Sequence, residues 1–115
     1  MSQRLVDRAH ELAESGLWAT AAEYYAVAAD ETEEAGHAFS AFLLRASARR
    51  MLVLEWAERR WPDDEIDLNS VWPIRETRQG LAQEVTLFDV RPHGGRKTYR
   101  VRVDERGHIR EELSR

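Results

Sequence analysis

The stretch Leu12–Ala29, LAESGLWATAAEYYAVAA, decides how this chain is built. Leading into it, Leu5, Ala9, Leu12 and Ala13 recur at spacings of three and four. That spacing lays one apolar stripe along a helix from about Gln3 to Ser15. Gly16 stops it. Beyond the glycine, Trp18, Ala21, Ala22, Tyr25, Ala28 and Ala29 turn to one side while Glu23, Asp30 and Glu31 turn to solvent, which predicts a second helix from about Trp18 to Thr32. Two or three linking residues leave room only for an antiparallel pair. Ala9, Ala21 and Ala28 fit this packing, because helix backbones approach closely only where the side chains between them are small.

Farther along, Gly36 predicts a left-handed cap, since glycine takes positive φ at little steric cost. A third helix follows from near His37, with Phe39, Phe42, Leu43, Ala46, Met51, Leu54 and Trp56 at helical spacing toward Trp61, and Arg45, Arg49, Arg59 and Arg60 at opposite or flanking positions. Pro62 ends it by driving the preceding residue out of helical φ/ψ. Its length admits a break near Arg49 or Arg50. Residues 62–83, PDDEIDLNSVWPIRETRQGLAQ, read as an ordered connection with one short strand around Val71 to Ile74. EVTLFDV (84–90), the turn at Gly94-Gly95, RKTYRVRV (96–103) and HIREEL (108–113) then predict a three-stranded antiparallel meander. In its middle strand Tyr99, Val101 and Val103 alternate with Thr98, Arg100 and Arg102, and Asp104 to Gly107 makes the second turn. The expected fold is α+β: an N-terminal antiparallel helical hairpin and a long third helix packed against that C-terminal meander. One domain spans 1–115, with a helical part (1–61), a connection (62–83) and the meander (84–115). Trp18, Tyr25, Phe42, Leu54, Trp56, Tyr99 and Val101 are expected largely inside.

Composition bounds the function classes. At 115 residues and 43% hydrophobic content, the chain has the size of a single domain, burying roughly 65% of its unfolded surface. It has no cysteine, so disulfides and thiolate metal sites are excluded, and it shows neither a signal-peptide pattern nor an apolar run of the roughly 20 residues that span a bilayer. A soluble cytoplasmic protein is the expectation, with no membrane partner. The net charge of −4 is uneven: residues 1–44 hold two basic and eight acidic side chains, residues 45–115 fifteen and thirteen. The acidic half can meet a basic surface within the chain or on a partner. Sixteen arginines against the single Lys97 read chiefly as the signature of a GC-rich, bacterial genome.

Gly16 at the turn between the helices, Trp18 two residues after it, Tyr25 late in the second helix, and small residues at Ala9, Ala21 and Ala28 resemble a tetratricopeptide (TPR) repeat, with Leu5 and Leu12 in the large apolar positions of its first helix. Arg8 and Glu33 stand where the family prefers leucine and a closing proline. The resemblance covers about residues 2–35 and implies a TPR-like helical hairpin, a scaffold for protein–protein interaction. Three repeats normally build a peptide-binding groove, because one hairpin cannot bury its faces alone; one is visible, with the third helix as a cap. In the family's mode the exposed face of the first helix makes contact, which here is Gln3, Val6, His10, Ala13 and Glu14.

No constellation argues for catalysis, and none calls for a cofactor or a metal. His10, His37, His93 and His108 form no metal-ligand pair; His10 and Glu14 share a helix face but read as a solvated pair. His93 has no visible orienting carboxylate or nucleophile. Asp63, Asp64, Glu65 and Asp67 lack the loop glycine and distal glutamate of a calcium loop and read as a solvated linker that can pair with Arg59 and Arg60. The sharpest charged feature is the hairpin 91–102, where Arg91, Arg96, Lys97, Arg100 and Arg102 carry five positive charges with no acid. It can lie along nucleic-acid phosphates with Tyr99 stacking on a base. Alternation instead turns Tyr99 inward, glutamates such as Glu111 on the next strand can neutralise the arginines across the sheet, and overall acidity weighs against nucleic acid.

The leading expectation is a non-catalytic interaction module, a small adaptor or self-associating subunit whose partner is another protein or a second copy in a homodimer. Trp61 and Trp72, beside prolines in the connecting region, are its candidate anchors; covering a seam within the fold is their other reading. The alternatives are a nucleic-acid-binding or regulatory protein using the hairpin 91–102, and a small-molecule binder or enzyme with a pocket between sheet and helices.

Overall fold

The structure, a computed structural model, describes residues 2–66, 71, 73–79, 83–92 and 97–112. In chain order they form α1 (Ser2–Glu14), α2 (Trp18–Glu34), α3 (Ala38–Arg60), β1 (Pro73–Gln79), β2 (Gln83–Val90), β3 (Tyr99–Asp104) and β4 (Ile109–Glu112). The class is α+β, as the sequence predicts. The chain divides into two compact units, Met1–Leu52 and Val53–Arg115. The division falls inside α3, which runs unbroken through Arg49 and Arg50; no glycine or proline interrupts it.

In the first unit, both helix junctions are built alike. Leu17 N–H donates to the Leu12 carbonyl at 2.9 Å and Gly16 N–H to Ala13 at 3.0 Å; twenty residues on, His37 N–H donates to Thr32 at 3.0 Å and Gly36 N–H to Glu33 at 2.9 Å. This paired pattern closes a helix C-terminus when the residue after the last turn is left-handed. Gly16 (φ 76°) and Gly36 (φ 90°) supply that conformation. The carbonyls of Leu17 and His37 then accept the first bonds of the next helices, from Ala21 and Ala41 at 3.0 Å each. The fully covered residues of this unit are small, namely Ala9, Ala21, Ala28, Ala29 and Ala41, with the larger Leu12 and Tyr25 nearly so. Arg45 of α3 reaches two acids of α2, its Nη2 lying 3.1 Å from Asp30 Oδ1 and 2.6 Å from Glu33 Oε2. The hydrogen bond to Glu33 holds the guanidinium above its ordinary pKa, burial opposing it and Asp30 adding to it. Tyr25 is buried; Trp18 and Phe42 are half-buried.

In the second unit, the four strands follow the order β1-β2-β3-β4, every neighbouring pair antiparallel. The expected three-stranded meander is thus extended by a full strand, β1, where the sequence suggests a short one. Its residues, PIRETRQ, are mostly polar and carry no alternation; pairing with β2 makes them a strand. Pro73 stands at the strand's first position, where its missing N–H removes no interior ladder bond, and the register shifts between Pro73 and Arg75. On β2, Thr86, Phe88 and Val90 alternate and are fully covered. The register sets them opposite Val103, Val101 and Tyr99. Leu54 and Val101 are buried as expected, whereas Trp56 and Tyr99 are half-buried.

Candidate interaction surfaces

The α1 residues singled out from sequence lie along one side of that helix. Gln3, His10 and Glu14 are exposed, and Val6 and Ala13 are half-buried. Gln3 Nε2 donates to Asp7 Oδ1 at 2.9 Å, and the His10 ring meets Tyr25 edge-on at 5.6 Å. Burial raises the Tyr25 hydroxyl above its ordinary pKa, with nearby Arg50 working the other way; the same burial lowers the Arg50 guanidinium, which Tyr25 partly offsets.

The largest apolar exposure lies elsewhere in this unit. Phe39 is 72% exposed and Leu43 50%, and Leu17 and Val27 are also open; among the described residues these are the large hydrophobic side chains left in solvent. Sequence periodicity gives Phe39 and Leu43 helical spacing along α3 without deciding whether they are covered. They lie on one side of α3 with Ala46, Val53 and Ala57, which are buried, yet Phe39 and Leu43 themselves stay largely open. Helical spacing shows which residues share a face; it does not show whether a neighbour reaches that far.

In the second unit Trp61 is half-buried. Its ring lies 5.4 Å from Trp56, nearly perpendicular, and 4.7 Å from Tyr99, with the Arg60 guanidinium 5.2 Å from its centroid. Trp61 is thereby engaged with its own unit on several sides. Trp72 lies outside the described residues.

Of the hairpin cations, Arg91, Lys97 and Arg100 are exposed and Arg102 is half-buried; Arg96, His93 and the Gly94-Gly95 turn lie outside the described residues. Arg91 Nη2 donates to Thr98 Oγ1 at 3.4 Å. Arg100 sits opposite Asp89 on β2 and Glu112 on β4, with its Nε 3.3 Å from Asp89 Oδ1. Glu111, expected to face the arginines, is the register partner of Val101 and lies 3.7 Å from Arg60 Nε. In a strand a shift of one residue moves a side chain to the other face, so Glu112 takes the place the sequence suggests for Glu111. Arg59 pairs with Glu55 and Arg60 approaches Glu111; Asp63, Asp64 and Glu65 are exposed, and Asp67 is outside the described residues.

The β3–β4 turn is organised by one carboxylate. Asp104 Oδ1 accepts the backbone N–H groups of Arg106 and His108, each at 2.9 Å, and its Oδ2 lies 3.5 Å from His108 Nδ1. The slight burial of Asp104 favours the neutral acid, but those two amides outweigh it and hold the carboxyl below its ordinary pKa. Aspartate followed by a glycine three residues on is the readable signal; Gly107 adopts φ 80°. Among the described residues no helix is long and apolar enough to cross a membrane, and no three His, Asp or Glu side chains gather as a metal site. Comparison with protein-family models, with curated proteins and with solved structures finds no match to this chain.

Proposed function

We propose that this chain is a non-catalytic protein–protein interaction module, a small cytoplasmic adaptor or self-associating subunit, whose helical unit presents a TPR-like hairpin and makes contact through the start of α3. The observation that carries this reading is the exposure of Phe39 and Leu43, one turn apart, as the open continuation of a stripe that is buried farther along the same helix. Fully covering a side chain of either kind is worth about 1.5–3 kcal/mol, and a few buried side chains, aromatic anchors among them, carry most of the energy of an interface. The acidic charge of residues 1–44 suits a partner with a basic rim, which steers encounter while the apolar pair holds the complex.

Light scattering after size exclusion, over a concentration series at low and high salt, tests the self-associating form. The expected result is a dimer that persists in high salt and becomes a monomer in Phe39→Glu and Leu43→Glu. If the wild type is monomeric throughout, self-association fails. The adaptor form is then tested by a photo-crosslinking residue at position 39 in cells, where absence of any protein adduct overturns it.

A further inference from the structure

β4 is the last strand in the sheet order, and among the described residues no strand pairs with its outer side. Which of its backbone groups face outward follows from the turn that precedes it. Asp104 N–H donates to the His108 carbonyl at 3.1 Å, which places a bonded pair there, and along an antiparallel ladder bonded and non-bonded pairs alternate. Arg102–Arg110 and Arg100–Glu112 are therefore bonded pairs, while Val103–Ile109 and Val101–Glu111 are not. Ile109 and Glu111 thus point their N–H and C=O groups away from β3. Such a row on a sheet edge is a template for a further strand.

The side chains select the strand. Val101 and Val103 are fully covered, so their partners Glu111 and Ile109 share the covered face, where Arg60 Nε lies 3.7 Å from Glu111. Arg110 and Glu112 share the opposite face. Charges on a short edge normally turn other strands away, but an arginine and a glutamate two positions apart match their own reverse. An antiparallel second copy can bond only where outward-pointing residues meet outward-pointing residues. Centred on Arg110, that pairing sets two guanidiniums together; centred on Glu112, two carboxylates. Centred on Glu111, it sets Arg110 of each copy against Glu112 of the other, in a non-bonded pair where side chains stand closest. The two Glu111 side chains then meet with an Arg60 beside each.

We propose that the β4 edge is a self-association surface that pairs antiparallel with β4 of a second copy about Glu111, through backbone bonds between the two Glu111 residues and Arg110–Glu112 ion pairs in both directions. The contact belongs to the second unit and does not use the apolar pair on α3. Exposed ion pairs are weak and screened by salt, so this is a low-affinity, salt-sensitive step that needs a higher chain concentration than the α3 contact. In a chain that also associates through α3, two different isologous contacts join copies into assemblies beyond the dimer.

The test uses the full chain carrying Phe39→Glu, so that association through α3 is removed and the two contacts succeed or fail separately. Backbone amide NMR from millimolar to micromolar chain at low salt is expected to show dilution-dependent shifts centred on residues 109–112, with the Glu111 amide moving most, and to lose them at high salt. Arg110→Glu alone and Glu112→Arg alone should each remove the shifts, because each sets like charges together. Their equimolar mixture should restore them, since each copy then presents the charges the other lacks. Glu111→Pro gives a second route: its N–H points away from β3, so proline removes no ladder bond within the chain, leaves the β2 and β3 amides in place and blocks the second copy. No dilution-dependent shift, shifts centred away from β4, single variants that associate as the parent does, or a mixture of folded variants that stays monomeric overturns the proposal.

Discussion

In Met1–Leu52 the fully covered side chains are Ala9, Ala21, Ala28, Ala29 and Ala41, whereas in Val53–Arg115 they include Phe88, Leu54, Val53, Val71, Val90, Val101 and Val103. The first unit covers alanines completely and leaves Leu17, Val27, Phe39 and Leu43 in solvent; among the described residues of the second, Phe88, Leu54 and the valines are enclosed while Trp56, Trp61 and Tyr99 are half-buried. An alanine seam allows close backbone approach but removes little apolar area from water per residue. A valine-rich sheet interior gains its stability from filled volume and loses it when volume is deleted. Among the described residues, the helical unit therefore has the more open large apolar side chains to offer a partner.

Opposite substitutions should expose this contrast. Phe88→Ala deletes the largest fully buried side chain among the described residues and should cost about 3–5 kcal/mol, read by chemical denaturation with hydrogen exchange to locate the loss among β2 and β3 amides. Ala28→Leu reverses the insult, forcing bulk into a fully covered position of α2, and should cost about 1–3 kcal/mol. A near-neutral Ala28→Leu would mean the alanine seam is loose, and the contrast between the units would fall.

Asp104→Ala should cost about 1 kcal/mol, because two backbone amides lose their acceptor. The sign with pH follows from a carboxyl held below its ordinary value: its contribution is complete above about pH 4, the ordinary aspartate pKa, and disappears as pH falls through the lower folded value. Amide exchange at Arg106 and His108 should quicken in that acid window in the wild type and be fast throughout in the variant. Arg45→Met, which breaks the partly exposed pairs to Asp30 and Glu33 while keeping a long apolar stem, should cost less than about 1 kcal/mol, checked by a double-mutant cycle with Glu33→Gln. The smallest effect on folding is expected for Phe39→Ser, within about 0.5 kcal/mol, despite removing an aromatic ring. A larger loss by thermal melting would show that Phe39 is covered in solution and would remove the principal support for the interaction surface.

Legibility differed between the units for a physical reason. The junctions at Gly16 and Gly36, the helices on either side, and the alternation of Tyr99, Val101 and Val103 are written in neighbouring residues, and each appears where the sequence places it. β1 is not, because PIRETRQ has little intrinsic strand character and acquires its conformation from the β2 ladder. The pairing of Arg102 with Arg110 could not be read either: a turn separates them in sequence, and only the register makes them neighbours. The candidate anchor Trp61 was legible as an aromatic beside a proline, but not the ring contacts with Trp56 and Tyr99 that occupy it.

By itself the sequence determined the local conformations: three helices with small residues at the first contact, left-handed glycines at two helix ends, an alternating strand and an aspartate-led turn. These follow from φ/ψ preference and periodicity, which act over a few residues. The tertiary structure alone decided which apolar stripe is covered and which stays open at Phe39 and Leu43, that Glu112 rather than Glu111 faces Arg100, and that Arg102 stands opposite Arg110. Those outcomes depend on register and on the reach of distant elements, and a one-residue change in either reverses which side chain is presented.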